Sequence, residues 1–336
     1  MDLYKLKREF LEHCELEKGQ SLLTVNSYDR HLERFFEFLK TNVANESEKN
    51  KEEKPVEFGP QLITQELARV YRLHINRLKG RDGRELKKST QNYHMLALRA
   101  FLRYLAWRGI PTLSPEKIPI SKTGDREIHF LESEEVKNII NMPSDDSAMG
   151  LRDRAILDTL FSTGLRVSEL VGLNIDTISL ERGEIAVLGK GKKMRVVFLS
   201  DGARDLIYQY LVSRGYGDKL GKLEAQIPLF ISNRGSRLTV RSIERLVKKY
   251  ANLAGISKKV SPHTLRHSFA TDLLIAGADI RSVQSMLGHS SISTTQVYTH
   301  ITDQHLHEIH QKFHGKALDG ENLELKDQNS KPEPDS

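Results

Sequence analysis

The residues best suited to chemistry lie in the second half of the chain, around Tyr298. This tyrosine is near the end of the run LGHSSISTTQVYTH, residues 287–300, which follows the run HTLRH, residues 263–267. A third run, GLRVSEL, occupies residues 164–170, and the turn LGKGKK contains Lys190. A phenol can act as a covalent nucleophile, guanidiniums pair bidentately with phosphate oxygens, and lysine or histidine can transfer a proton. Together these residue types suit attack on a phosphodiester.

Each run also has an ordinary structural interpretation. Arg166 and Glu169 have the i, i+3 spacing of a surface ion pair on a helix. His263 and His267 have the i, i+4 spacing of metal ligands, but HTLRH lacks the glutamate of the HExxH zinc motif. GKGKK lacks the earlier glycine and the following Ser or Thr of a phosphate loop, so it is interpreted as a basic hairpin. Tyr298 alone has the usual interpretation of a core or surface tyrosine. Only the joint occurrence of these groups favours catalysis.

Composition indicates a soluble globular chain long enough for two domains. The chain has 336 residues, of which 38% are hydrophobic and 29% charged. Lys and Arg exceed Asp and Glu by 51 to 45, a net charge of +6. Residues 319–336 contain six acids and two lysines, which predicts a disordered acidic tail and leaves the rest of the chain at +10. That excess favours a polyanionic partner, although it also fits many solvated surfaces.

Cysteine content and hydropathy predict the compartment. Cys14 is the only cysteine, which excludes an intrachain disulfide and a cysteine-based metal site. The first ten residues lack the apolar core of a signal peptide, and no apolar run reaches the length of a membrane span. We therefore expect a cytoplasmic protein, or one that works on nucleoid DNA, with no membrane partner.

Apolar spacing predicts an N-terminal helical domain over residues 1–109. Its first clear helix follows Thr24, a possible cap, and ends near Lys40. The apolar side chains of this helix recur at the three-four spacing of one buried face. The polar stretch 41–60, with two prolines and a glycine, predicts a flexible connection.

Two more helices are predicted after this connection, over residues 63–80 and 89–109. Ser89 or Thr90 is a possible cap of the second, and Gly109 a possible stop. Basic residues of this region can contact a DNA backbone or form a solvated helix face. They are Arg72, Arg77, Lys79, Arg81, Arg84, Lys87, Lys88, Arg99 and Arg103.

Residues 110–128, which contain three prolines, are predicted as an interdomain linker. Residues 129–318 are predicted as a second, mainly helical domain with one β insert. The insert alternates apolar and polar residues and breaks at 181–184 and 189–192, which predicts a three-stranded meander with Lys190 in its second turn.

Helical patterns follow the meander. One covers residues 201–215, and another covers residues 242–255 with Gly255 past its end. The apolar face of the second consists of Ile243, Leu246, Val247, Tyr250 and Leu253.

The motifs together resemble the tyrosine recombinases, the integrase family of DNA strand-exchange enzymes, and most resemble the Xer recombinases of bacteria and archaea. The resemblance rests on STGLRVSELVGL from Ser162, the GKGKKMRVV hairpin, HTLRHSFATDLL from His263, and LGHSSISTTQVYTH. It covers roughly residues 23–313 and is most specific from Leu151 onward. The long stretch 41–60 and the acidic tail depart from the family pattern, so neither inherits a function. The resemblance implies a mainly α fold: a helical core-binding domain, then a catalytic domain with a small three-stranded sheet.

Carried over to this sequence, the resemblance makes Tyr298 the nucleophile that forms a 3′-phosphotyrosine. It makes Arg166 and Arg266 the pair that holds the scissile phosphate, because fixed positive donors stabilise the charge on the nonbridging oxygens. Lys190 would protonate the leaving 5′ oxygen, since an ammonium can give up a proton where a guanidinium cannot.

Three further residues complete the implied site. His263 would accept the tyrosine proton, His289 would hydrogen-bond the phosphate, and Glu169 would orient its neighbours. The resemblance implies no metal ion, no ATP and no other cofactor.

Several functions remain open at this point. The leading one is Xer-type resolution of chromosome or plasmid multimers. Alternatives are the integrase of a mobile element, a noncatalytic DNA-binding protein of the same fold, and a type IB topoisomerase that relaxes supercoils. The implied partners are a double-stranded DNA recombination site, three further recombinase subunits (identical or paralogous) and a DNA translocase in some members.

A narrow apolar stripe follows the tyrosine and bears on assembly. Leu306, Ile309 and Phe313 fall at i, i+3 and i+7 of an otherwise polar helix. From the pattern alone, the stripe fits its own domain as well as another subunit. The family resemblance favours docking into a neighbouring protomer.

Overall fold

A computed structural model describes residues 2–50, 58–80, 82–122, 130–189, 194–217 and 226–288. The chain divides into two compact units, Met1–Arg126 and Glu127–Ser336. Both are mainly helical over the described ranges, and the second contains a three-stranded sheet, which confirms the predicted fold class. Within these ranges, no helix combines the length and the apolar character needed to cross a membrane.

The described residues of the first unit form four helices: α1 (Leu3–Leu16), α2 (Leu22–Asn50), α3 (Gln65–Arg77) and α4 (Lys88–Trp107). Side chains cap the first and third, because Asp2 accepts the Lys5 N–H and Thr64 accepts the Leu67 N–H. The core is rich in aromatic residues. Phe36 packs on Phe101 at 5.9 Å between ring centroids, in the edge-to-face arrangement that aromatic pairs favour.

The second helix differs from its prediction at both ends. It begins at Leu22, and Ser21, three residues before Thr24, accepts the Thr24 N–H with its hydroxyl and its carbonyl. It continues through residues 41–50, which we predicted as connection. Past Lys40, the half-buried side chain of Val43 still packs against the core. No proline or glycine follows before Pro55, so no residue in this stretch breaks the helix. Residues 51–57 of the predicted connection lie outside the described ranges.

The fourth helix and the segment after it also correct the sequence interpretation. Lys87 is the N-cap of α4, so Ser89 and Thr90 lie inside its first turn and cap nothing. Gly109 follows the helix with φ +69°, as predicted for a stop. Part of the predicted linker packs with the first unit: residues 115–117 form a short 3₁₀ helix, and Ile118 is buried in the core.

Up to Gly288, the described part of the second unit contains seven helices: α5 (Ser133–Asn141), α6 (Ala148–Thr163), α7 (Val167–Gly172), α8 (Asp201–Ser213), α9 (Val240–Leu253), α10 (Pro262–Ile275) and α11 (Ile280–Leu287). The predicted face of α9 is buried except at Leu253, which is 60% exposed. Leu253 is the last residue of that helix.

The predicted meander is confirmed as an antiparallel sheet of β1 (Ile178–Ser179), β2 (Glu184–Leu188) and β3 (Met194–Phe198) in that order. Ile185 pairs with Val197 and Val187 with Arg195, and the first three of these side chains are buried. Because side chains alternate along a strand, Arg195 lies on the same inner face of the sheet. Arg195 is therefore a charged side chain among the buried apolar side chains of this face.

Candidate active site

Arg166 lies in a tight turn between two helices. Helix α6 ends at Thr163, Gly164 adopts a left-handed conformation with φ 58°, and Arg166 is the N-cap of α7. A Cβ at Gly164 would lie 2.4 Å from a ring atom of Phe269, so a larger residue does not fit there. This close approach fixes where the Arg166 side chain begins.

Glu169, in the first turn of α7, accepts hydrogen bonds from two arginines. Its carboxylate receives the backbone N–H and Nη1 of Arg166, both at 2.8 Å. It also receives Nη1 and Nη2 of Arg195, both at 2.9 Å. The Glu169 side chain is only 6% exposed. The i, i+3 pair is therefore real, but its carboxylate is buried, unlike that of the surface pair that the spacing alone suggested.

The environment keeps the Glu169 carboxylate ionised. Burial by itself raises the pKa of this group, but the hydrogen bonds from Arg195 and Arg166 outweigh burial and lower the pKa to about 2. A permanent negative charge between the two guanidiniums orients both of them.

Sequence reasoning missed Arg195. The available signal was strand alternation, which places this residue on the same side of β3 as the buried Val197. A charged residue on the apolar face of a strand requires a partner. The partner, Glu169, is 26 residues away in sequence, and no local pattern identifies it.

Arg266, on α10, is 5% exposed and ties two helix ends together. Its Nη1 donates to the carbonyl oxygen of Gly164 at 2.5 Å, and its Nη2 donates to that of Leu287 at 2.6 Å. These carbonyls terminate α6 and α11, where helices leave acceptors without internal partners. Arg266 supplies the missing donors.

Arg166 and Arg266, the two arginines predicted to hold the scissile phosphate, converge on one turn of the chain. We call this pair the phosphate clamp. Nη2 of Arg166 donates to the carbonyl oxygen of Gly288 at 3.0 Å, next to the Leu287 carbonyl that Arg266 holds. Gly288 ends α11 in a left-handed conformation with φ 63°. Both guanidiniums are therefore fixed to the turn that immediately precedes His289.

The histidines of HTLRH lie near the start of α10. His263 is exposed one turn before Arg266, and His267 is half-buried. Burial lowers the pKa of His267, and the nearby His263 and Arg266 lower it further. Across the part of the chain that the structure describes, no three His, Cys, Asp or Glu side chains form a group that could hold a metal ion.

Three predicted site residues lie outside the described ranges: Lys190, His289 and Tyr298. The turn at 190–193, the stripe of Leu306, Ile309 and Phe313, and the predicted tail also lie outside them. The structure brings together Arg166, Glu169 and Arg266. It fixes them beside the point from which the chain runs on to His289 and Tyr298.

This arrangement presents two positively charged, planar donors in fixed orientations. The hydrogen bonds described for Arg166 at Glu169 and Gly288 use two of the five N–H groups of its guanidinium, and its side chain is 30% exposed. Preorganised donors of this kind suit an anion whose charge grows during reaction, because they need little rearrangement in the transition state.

Substituting Glu169→Gln is expected to reduce stability by about 3 kcal/mol at neutral pH, from a pKa lowered to about 2 against an ordinary value near 4.5. Because the folded pKa is depressed, the carboxylate stabilises fully above pH 4.5, and this contribution is lost as pH falls towards 2. The difference between the wild type and the variant should therefore shrink below pH 4.5. Urea unfolding followed by far-UV circular dichroism at several pH values measures it.

Glu134→Gln is the matched control, because Glu134 forms an exposed i, i+3 pair with Lys137. This variant should unfold like the wild type. A Glu169→Gln penalty that does not change between pH 7 and pH 3 would contradict the assigned role of the charge.

Comparisons with known proteins agree with the fold. Residues 129–305 match the model of the phage integrase family. The chain is 38% identical over 314 residues to the tyrosine recombinase XerC of Thermodesulfovibrio yellowstonii, covering 93% of this chain and 97% of that protein. It is 34% identical to the tyrosine recombinase XerD of Halalkalibacterium halodurans, covering 92% and 97%.

A solved structure is similar as well. The crystal structure of the XerH site-specific recombinase bound to its difH substrate, a pre-cleavage complex, superimposes with a TM-score of 0.64 at 25% identity. The match covers 90% of this chain and 83% of that one.

The fold and the similarity to known recombinases together define a DNA strand-exchange enzyme. The chain belongs to the phage integrase family and is a tyrosine recombinase of Xer type, acting at specific DNA sites.

Proposed function

We propose that Tyr298 attacks a scissile phosphate that Arg166 and Arg266 hold. The observation that carries this proposal is the convergence of both guanidiniums on the carbonyls of Leu287 and Gly288. The run that ends at Tyr298 begins at this turn, so the nucleophile is attached to the clamp by ten residues of chain. Because the chain that leads to Tyr298 starts at the turn held by both arginines, the phenol can stay close to a phosphate that these arginines bind.

The reaction is a reversible transesterification. The phenolic oxygen of Tyr298 bonds to phosphorus while the bond from phosphorus to the 5′ oxygen breaks, and the product is a 3′-phosphotyrosine. His263, exposed near the start of α10, accepts the phenolic proton, and Lys190 gives a proton to the leaving 5′ oxygen. His289 hydrogen-bonds the phosphate. A new 5′ hydroxyl then reverses the step on another strand, with neither a metal ion nor ATP.

The biological role that we propose is resolution of chromosome or plasmid multimers. Support comes from relatives named XerC and XerD, similar over nearly the whole chain. The enzyme acts on a double-stranded DNA site as a tetramer, either of identical subunits or together with a paralogue. A DNA translocase is a further proposed partner. Because the proposed substrates are the chromosome and plasmids, the proposed location is the cytoplasm, at the nucleoid.

Mapping where the protein accumulates on the genome gives the candidate site for the test. Supercoiled plasmids carrying two direct copies, or one copy, are then incubated with the protein in EDTA. Two-site plasmids should give two smaller circles, and one-site plasmids should give none. Relaxed topoisomers alone would indicate a topoisomerase. Accumulation only at the ends of a mobile element would favour an integrase, and loss of activity in EDTA would contradict metal-free chemistry.

A further inference from the structure

The hairpin of β2 and β3 is tied to the phosphate clamp through one side chain, that of Arg195. The last described pairs of this hairpin are Val187 with Arg195 and Leu188 with Met194. Residues 189–193, which include Lys190, connect these two strands along the chain. Arg195 is one residue from the end of the described ladder and five residues from Lys190 in sequence.

Arg195 forms a bidentate ion pair with Glu169, an arrangement that restricts the orientation of the guanidinium. Both of its terminal nitrogens donate to Glu169, one to each carboxylate oxygen, at 2.9 Å. Its side chain is 16% exposed, and that of Glu169 is 6% exposed. A bidentate pair fixes direction as well as distance, and burial protects it from screening by salt.

The same carboxylate holds Arg166, so one buried charge connects the hairpin to the clamp. The guanidinium of Arg195 also lies close to Gly288, at the other end of the clamp. A Cβ placed on Gly288 would lie 3.0 Å from Cζ of Arg195, and the Gly288 carbonyl accepts Nη2 of Arg166. Hydrogen bonds thus connect Arg195 through Glu169 and Arg166 to Gly288, and Gly288 lies close to the guanidinium of Arg195.

An ion pair that served only stability would not need this placement. Buried ion pairs often stabilise no more than apolar residues of the same size, whereas they do restrict geometry. Between β1 and β2, Arg182 pairs with Glu184 at 3.2 Å, and the Arg182 side chain is 73% exposed. The Arg195 pair differs because its carboxylate is shared with Arg166.

We propose that Arg195 is a positioning residue that holds the β2–β3 hairpin, and with it Lys190, in register with the Arg166 clamp. Protonation of the leaving 5′ oxygen then depends on Arg195, although Arg195 does not touch the substrate in this step. The inference rests on the proposed role of Lys190 as the proton donor.

The test is single-turnover cleavage of a nicked suicide substrate that carries either oxygen or sulfur at the bridging 5′ position. A thiolate leaves without a proton, so sulfur removes the need for a proton donor. Arg195→Gln should lower the rate on the oxygen substrate by roughly 10- to 100-fold, the loss expected when a reacting group is misplaced by about 1 Å. On the sulfur substrate, the loss should shrink to within roughly threefold of the wild type.

A double variant separates positioning through Lys190 from an independent effect. If Arg195 acts through Lys190, Arg195→Gln should add almost nothing to Lys190→Ala on the oxygen substrate. Arg182→Gln, between β1 and β2, is the matched control and should cleave at the wild-type rate. Arg195→Lys keeps the buried charge without the two-point geometry, and it should show the same sulfur rescue. If Arg195→Gln does not fold, the same measurements are made on Arg195→Lys.

Two outcomes with the Arg195 variants would overturn the inference. One is an equal loss on both substrates, and the other is a double variant whose loss is the product of the single losses. If Lys190→Ala is rescued by sulfur but the Arg195 variants are not, only the positioning role fails. If Lys190→Ala cleaves normally or is not rescued, the proposed proton donor is wrong and the positioning role fails with it.

Discussion

Tyr298→Phe is expected to abolish the covalent adduct with DNA while leaving DNA affinity nearly unchanged. The substitution removes one oxygen, which is the proposed nucleophile, and no charge that neutralises phosphate. Because the phenylalanine ring keeps the shape of the side chain, the fold should be retained. Incubation with a nicked suicide substrate, followed by denaturing electrophoresis, detects the adduct, and a gel shift with the same duplex measures affinity.

Tyr208→Phe is the matched control, because Tyr208 lies half exposed on α8. It should form adduct at the wild-type rate. An adduct that persists in Tyr298→Phe would show that another residue attacks, whereas loss of DNA affinity together with the adduct would show that the phenol contributes to binding.

Arg266→Gln is expected to have the second largest effect, because it impairs cleavage and stability together. Losing one donor to the developing charge on a transition state costs about 10²- to 10³-fold in rate. The same change leaves the buried carbonyls of Gly164 and Leu287 without their guanidinium, at a cost of about 1–3 kcal/mol for each acceptor that stays unpaired. Single-turnover cleavage and urea unfolding measure the two losses separately.

Arg166→Gln distinguishes the two contributions. Arg166 is the more exposed arginine, with a side chain 30% exposed. Its removal should slow cleavage about as much as that of Arg266, with a smaller loss of stability. Arg204→Gln, which breaks a pair with the exposed Asp201, is the control and should change neither measurement. Full stability in Arg266→Gln would contradict the structural part of its role.

Local sequence patterns predicted the elements that carry the site. The three-four spacing of apolar residues in α9 and the alternation in β2 and β3 were confirmed by burial. These patterns succeed because helix and strand periodicity depends on neighbours a few residues apart. The same local reasoning ended α2 ten residues too early, because its polar composition obscured residues that continue the helix.

The sequence by itself determined the chemistry of this protein. The types and spacing of Arg166, His263 and Arg266 indicated phosphate chemistry, and their motifs indicated the family. Only the tertiary structure decided what holds these groups. It placed Arg195 against Glu169, and it directed both clamp arginines to the turn at Gly288, 122 residues beyond Arg166. The path of the folded chain sets such pairings, because a buried charge takes whichever opposite charge or carbonyl the packing brings within reach.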